Sequence, residues 1–401
     1  MSIDNKEIRK KFKIYEKHPE LVYFDSAATS LTPSCVVDTI SNYYNYERST
    51  VNRGESKLVN YNNQRYEQTR EKVAKLLNCD SEEVIFSKST TSIMNHLATN
   101  IINSLNDGDE IITTDLEHHS SLLPFREKCK DKNINFKIVN SIDNKIDLDY
   151  LFSQVSSNTK VVVIHHVSNV IGDSIDLNKL GKYCKEHNII SVVDGAQGIL
   201  HKKVDVKDSG IDFYVFSAHK IFGPTGLGVM YGNKEIIKDY YFDYGGDMAV
   251  SVDSNGFVPK PLPHRLEGGT PNIAEVLGFN TTLDFINNLG IDNIFNYSLD
   301  IRNYCLDQLK EIKEVEIYNS DIKTSTIIFN IKGVAVHDAL AVFAKHDISL
   351  RGGQMCNALS LEAINQQAVL RASFNIYNNY EDVDKFIKCV HLIINDPLAW
   401  M

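Results

Sequence analysis

Ile211-Asp212-Phe213-Tyr214-Val215-Phe216-Ser217-Ala218-His219-Lys220-Ile221-Phe222-Gly223-Pro224-Thr225-Gly226-Leu227-Gly228 is an apolar run that leads into a histidine, a lysine and a turn punctuated by glycines. Residues 213–216 have the aromatic and β-branched character of a strand packed on both faces. Lys220 stands where that strand ends. A lysine is ordinarily a solvated surface charge. Between a buried strand and glycines that let a ligand approach the backbone, its amine can lose a proton near neutral pH and form a Schiff base. Ser217 and His219 add donors suited to an anionic group.

The same texture extends outward from this stretch. Residues 84–86, 111–112, 161–164 and 189–193 read as strands. Residues 64–77 put Tyr66, Val73, Leu76 and Leu77 on one helical face, and Leu177, Leu180 and Cys184 mark a second amphipathic helix. Near-continuous apolar strands alternating with helices predict an α/β fold, a mainly parallel central sheet with helices on both faces. Ligands on such sheets sit at the carboxyl ends of the strands. Beyond about residue 285, helical segments 293–313 and 381–394 frame shorter strands at 326–330 and 348–351. This predicts a large domain over 21–285 and a smaller α+β domain made of 286–401 joined by 1–20.

Other strand ends carry candidate groups. Val192-Val193-Asp194-Gly195-Ala196-Gln197 closes one strand. Asp194 there is either a helix N-cap or a carboxylate that pairs with a buried cation. A lysine and an aspartate at neighbouring strand ends are what a pyridoxal phosphate site needs, the lysine for the aldehyde and the aspartate for the ring nitrogen. Gln197 lies within reach of the same ring. Phe86-Ser87-Lys88-Ser89-Thr90-Thr91-Ser92 is a strand entering a hydroxyl-rich helix start, which serves as a phosphate cradle or as ordinary capping. Asp115-Leu116-Glu117-His118-His119 puts an imidazole after a strand, and His165-His166-Val167-Ser168-Asn169 an amide. Neighbours in sequence point to different sides, and no Cys or His-x3-His spacing accompanies the histidine pairs, so no metal site is expected.

Composition narrows the class. The 401 residues carry 42 Lys and Arg against 52 Asp and Glu, a formal charge of −10, which is not the basic footprint of a nucleic-acid binder. No apolar run approaches the roughly 18 residues of a membrane-spanning helix, and residues 1–7 are charged with both signs, unlike a signal peptide. Seven cysteines, none in a Cys-x-x-Cys pair, argue against a disulfide framework. The expectation is a cytoplasmic protein.

Taken in chain order, these segments resemble the cysteine desulfurases of the class V aminotransferase family. The nearer resemblance is to the group serving iron–sulfur cluster assembly through the sulfur-mobilisation pathway. It runs from Phe24-Asp25-Ser26-Ala27-Ala28 to about Asn379. Glu117-His118-His119, His166-Val167-Ser168-Asn169, Asp194-Gly195-Ala196-Gln197, Ser217-Ala218-His219-Lys220, Glu267-Gly268-Gly269-Thr270-Pro271-Asn272, Arg351-Gly352-Gly353-Gln354-Met355-Cys356 and Leu370-Arg371-Ala372-Ser373 carry it. The resemblance implies a fold-type I pyridoxal phosphate enzyme that acts as a homodimer. It implies that Lys220 holds the cofactor, Asp194 pairs with the ring nitrogen, Gln197 contacts the ring hydroxyl and His118 stacks on the ring. Thr90, Thr91, Ser217 and His219 would hold the phosphate, and Thr270 would reach it from the partner subunit. Asn169 and Arg371 would clamp the substrate carboxylate with Arg351 close by, as the planar guanidinium fork suits.

Cys356 decides the implied reaction. The other six cysteines read as small buried hydrophobes, whereas Cys356 lies in a glycine-flanked loop of the small domain at the position of the family's nucleophile. The resemblance then implies conversion of L-cysteine to L-alanine with the sulfur left on Cys356 as a persulfide. A thiol with pKa about 8.5 needs a proton acceptor or a positive field, and His118 is the candidate acceptor. The chain departs from the family at Gln354 and Met355, where a histidine pair or Gln-His is common, and at Ser92 and Asn52. His337, at a helix start, matches a histidine that in some members joins the zinc of a sulfur-accepting scaffold. The alternatives are a selenocysteine lyase or a related class V enzyme, and a catalytically idle sulfur carrier or regulatory subunit.

Overall fold

A computed structural model of the chain describes residues 3–396. Seven strands form the central sheet: β1 (Val84–Ser87), β2 (Glu110–Thr114), β3 (Asn135–Val139), β4 (Thr159–His165), β5 (Ile190–Asp194), β6 (Phe213–Ser217) and β7 (Gly228–Gly232). Their order is β1-β7-β6-β5-β4-β2-β3. Only β7 runs against its neighbours, so the carboxyl ends of the other six share one edge.

Alternation along the strands accounts for the two covered faces. Val162, Ile164, Val193, Tyr214 and Phe216 point into a core shared with the helices Lys57–Leu77, Leu177–Glu186 and Ile273–Leu289. Val161, Val163, Val192, Phe213 and Val215 point the other way, into the helices Thr90–Ser104 and His119–Cys129. Burial on both sides is why these strands read as unbroken apolar runs.

The strands Val315–Ile317, Thr326–Ile331, Val369–Ser373 and Arg351–Gly353 lie side by side in that order, all antiparallel. The helices Ile291–Lys310, Val336–Lys345 and Tyr380–Asn395 pack on them through a separate core. The division we propose stays near residue 285, between the helices Ile273–Leu289 and Ile291–Lys310. The N-terminal segment bridges both halves. Ile8, Phe12 and Tyr15 join the large core, while Arg9 pairs with Asp382 of the last helix at 2.8 Å.

Three details differ from the sequence reading. The helix expected over 64–77 begins at Lys57, because Ser56 caps it by accepting from the Val59 N–H, and its added residues are mostly polar. The single strand expected over 348–351 is two. Ile348–Ser349 pairs in parallel with Val22–Tyr23, and Arg351–Gly353 pairs with Val369–Ser373. Among the cysteines expected to be buried, Cys35 is exposed and Cys79 half-buried; Cys35 lies on the outer side of a helix whose neighbouring Val36 faces the core. Among the described residues no helix is long and apolar enough to cross a membrane.

Candidate active site

A cavity of about 390 Å³ opens where the carboxyl ends of the sheet meet the four-stranded antiparallel sheet. After β6, one 3₁₀ turn, Ala218–Lys220, brings Lys220 into it. Burial lowers the Lys220 pKa; the Asp194 carboxylate opposes this and Arg371 reinforces it. Asp194 is the last residue of β5 and is itself buried. Its Oδ2 accepts from Ser121 Oγ at 2.7 Å and its Oδ1 from the Ala196 N–H at 2.9 Å. No α-helix starts there, so the second bond fixes a local turn and the carboxylate remains at the cavity wall.

Anion-binding groups gather on one side. The Thr90 N–H donates to Ser217 Oγ at 2.9 Å, and the two hydroxyls lie 2.8 Å apart. Thr91 Oγ1 is 2.7 Å from Ser120 Oγ. Both threonines open the helix Thr90–Ser104, whose N-terminus favours a phosphate. Gly228 makes this arrangement possible, since a Cβ there would stand 2.5 Å from the backbone carbon of Ser89. His219 lines the same cavity, its pKa pushed down to about 4 by burial and by Lys220.

His118 caps the helix His119–Cys129, its Nδ1 accepting from the Ser120 N–H at 3.1 Å. Burial, with Lys220 adding to it, pushes its pKa down to about 4. The ring is therefore neutral at physiological pH, and the tautomer that fits this bond carries its proton on Nε2. It offers the cavity an Nε2–H donor.

Arg371 is 2% exposed. Its Nη1 donates to the carbonyl of Asn169 at 2.8 Å, and its Nη2 lies 3.5 Å from Asp25 Oδ1. Its buried Nε has no partner in the protein, which is the state of a guanidinium waiting for an anion. Arg351 stands at the rim, half exposed, 3.9 Å from Asp25. Burial raises the Asp25 pKa, and the two arginines pull it back. Cys356 lines the same cavity with an exposed side chain, on a turn after the strand Arg351–Gly353.

Two expected groups lie apart. Gln197 faces a smaller cavity behind Lys220 and donates to the Ala27 carbonyl at 2.8 Å. Thr270 is exposed in a separate surface cavity with Arg53 and His264, so within one chain it is not brought to Lys220. The paired histidines are engaged elsewhere, His165 with Glu117 and His166 with the Tyr214 hydroxyl, each at 2.9 Å. His337 is exposed in the first turn of the helix Val336–Lys345. Sequence reasoning gave no role to Asp25, Ser121 or Asn357. Their neighbours in the quoted motifs mark the region, but only the fold supplies the contacts.

The donor set fits pyridoxal phosphate: an amine of lowered pKa, a buried carboxylate, a flat neutral imidazole, a phosphate-type helix start and an unsatisfied guanidinium converge on one cavity. Comparison with known proteins agrees. Residues 22–386 match the family model for class V aminotransferases. A probable cysteine desulfurase of Halalkalibacterium halodurans is 35% identical over 95% of this chain and 96% of its own. One of Staphylococcus epidermidis is 34% identical over 97% and 96%. The solved cysteine desulfurase CsdA of Escherichia coli superposes with a TM-score of 0.91 at 31% identity, covering 98% of this chain and 99% of that one. The apo cysteine desulfurase of Thermococcus onnurineus NA1 gives 0.93 at 31%, covering 98% of both. With near-complete coverage on both sides and the same fold, the chain belongs to the class V aminotransferase family, among its cysteine desulfurases.

Proposed function

We propose that this cavity takes sulfur from L-cysteine, releases L-alanine and keeps the sulfur on Cys356 as a persulfide. The observation that carries the reading is that Lys220 and Cys356 line one cavity with Asp194 and Arg371. Pyridoxal phosphate, when bound, supplies an electron sink for negative charge at the substrate α-carbon. Lys220 would hold its aldehyde, Asp194 its ring nitrogen, and Thr90, Thr91, Ser217 and His219 its phosphate.

The chain's own residues do the rest. Arg371 and Asn169 bind the substrate carboxylate and fix its orientation, with Asp25 holding the guanidinium in place. Lys220 Nζ moves the proton at the α-carbon, a task that its lowered pKa suits. The Cys356 thiolate attacks the substrate sulfur. A sulfur–sulfur bond forms, the carbon–sulfur bond breaks, and its electron pair ends on the carbon that becomes the alanine methyl group. No external oxidant is needed, because L-cysteine and the enzyme thiol together balance L-alanine and the enzyme persulfide. The proton that the Cys356 thiol gives up balances the one that this carbon takes up, and His118, neutral, presents its Nε2–H to the substrate as a hydrogen-bond donor.

The assembly and the acceptor belong to the same reading. A second copy would bring its Thr270 to the phosphate, which accounts for a threonine exposed in the single chain. A sulfur acceptor, which could be a zinc-containing scaffold of iron–sulfur cluster assembly, would dock at His337. Supporting this, the helix bearing His337 lies against the strand that leads to Cys356, since a Cβ on Gly352 would meet Leu340 at 2.4 Å and Val336 at 2.8 Å. All seven cysteines are free thiols, which suits a reducing compartment such as the cytoplasm. The test is incubation with L-cysteine followed by mass analysis of the peptide containing Cys356. One added sulfur, lost in Cys356→Ser, is expected; alanine release with no sulfur on that peptide would refute the assignment.

A further inference from the structure

Asn357 follows the nucleophile in a loop, yet it is fully buried. Its side chain is engaged at both ends. Nδ2 donates to the Leu116 carbonyl and to Asn169 Oδ1, each at 3.0 Å. Oδ1 accepts from the Ser360 N–H at 3.4 Å and caps the helix Ala358–Ala363. Asn169 answers from its other end, donating from Nδ2 to the Met355 carbonyl at 3.0 Å. On the far flank, the His119 N–H donates to the Cys356 carbonyl at 2.8 Å and the Ala358 N–H to His119 Nε2 at 3.2 Å.

These bonds hold a backbone that would otherwise relax. Met355 and Cys356 have φ of 55° and 53°, two successive residues in the left-handed region, which side-chain-bearing residues avoid. Such a pair persists only while its surroundings over-determine it. The Met355 side chain supplies further hold by packing in a small core with Leu116, Val170 and Ile171.

We propose that Asn357 is a positioning residue that makes the carboxylate clamp and the nucleophile loop one hydrogen-bonded unit, so that carboxylate binding and docking of Cys356 strengthen each other. The proposal rests on the reading of Asn169 and Arg371 as the clamp and Cys356 as the nucleophile. An asparagine amide has two N–H groups. With Oδ1 held by Asn357 and one N–H held by Met355, the second N–H of Asn169 is left in a fixed direction for the ligand. The Asn169 carbonyl also receives Arg371, so both arms of the clamp refer to the docked loop. Coupling of two equilibria is reciprocal. A ligand that favours the aligned clamp must favour the docked loop to the same degree.

The competing explanation is that Asn357 only caps a helix. Serine caps as well as asparagine but cannot reach both Leu116 and Asn169 with an amide. The test therefore compares holoenzyme of the wild type with Asn357→Ser, using L-alanine as a probe that carries the carboxylate without sulfur. Affinity is read from the change in cofactor absorption, and loop docking from hydrogen exchange of the peptide 354–360. Wild-type exchange should slow when L-alanine is saturating. Asn357→Ser should bind L-alanine about tenfold more weakly, exchange faster without ligand, and gain little protection with it. Wild-type affinity and exchange in Asn357→Ser would reduce the residue to a cap and overturn the proposal. So would L-alanine that alters the wild-type spectrum without slowing exchange, a measurement that needs no variant. L-alanine that leaves the wild-type spectrum unchanged would instead refute the clamp reading, and this proposal with it.

Discussion

Arg371 Nη1 donates to the carbonyl oxygen of Asn169 at 2.8 Å, joining residues 202 positions apart in the sequence. The guanidinium is thereby locked to the loop beyond β4, and its second nitrogen faces Asp25. This orientation fixes the guanidinium at the cavity wall. Lysine could keep the charge but not the fork, so it could not hold Asn169 and a carboxylate together. Arg371→Lys should raise KM for L-cysteine by between about 10- and 100-fold, the range for losing a charge-assisted hydrogen bond. Steady-state alanine release measures this, and an unchanged KM would remove Arg371 from the clamp.

Gly228 makes a second, sharper test. It starts β7 between the ends of β1 and β6, paired with both Ser87 and Ser217. A methyl group there meets Ser89 backbone atoms at 2.5–2.7 Å, and backbone cannot swing aside as a flexible side chain can. Gly228→Ala should push Ser89 and Thr90 away from Ser217 and weaken pyridoxal phosphate binding by about tenfold or more, a loss of about 1.4 kcal/mol at the least. Gly256→Ala is the control, because a Cβ there meets nothing within 4 Å. Titration of both apoproteins with the cofactor, followed by absorbance, should separate them. Equal affinities would contradict the cradle.

Much of this architecture is legible in the chain, and what escapes has physical causes. β4, β5 and β6 are buried on both faces, and burial writes itself as apolar runs that no surface element imitates. β3 has intermediate or exposed residues at four of its five positions, so it carries no comparable signal. Lys220 and Asp194 are legible because each terminates such a run. Asp25 and Asn357 are not, since their partners, Arg371 and Asn169, are distant in sequence and meet them only in the folded chain. His118 shows a further limit. Its position after β2 is readable, but its tautomer depends on the Ser120 N–H, a consequence of where the next helix begins.

Buried neutral histidines lower stability as the solution is acidified. His166 is 2% exposed and bonded to the Tyr214 hydroxyl, and burial pushes its pKa from 6.5 down to about 3. In the unfolded chain it takes up a proton near pH 6.5; in the folded one it stays neutral. Between these values the unfolded state binds more protons, so this contribution is complete above pH 6.5 and is lost as pH falls toward 3. The slope is about 1.4 kcal/mol per pH unit for one such group. His118, with a folded value of about 4, acts in the same direction, so the slope belongs to a set of groups. His166→Asn keeps a polar atom near the Tyr214 hydroxyl but removes the titration. Chemical denaturation from pH 6.5 to 4.5 should show the wild type losing about 2 to 3 kcal/mol more than the variant across that window, whatever their difference at pH 7. Parallel curves would mean that His166 is protonated in the folded protein, and that its bond to Tyr214 runs from imidazolium to hydroxyl.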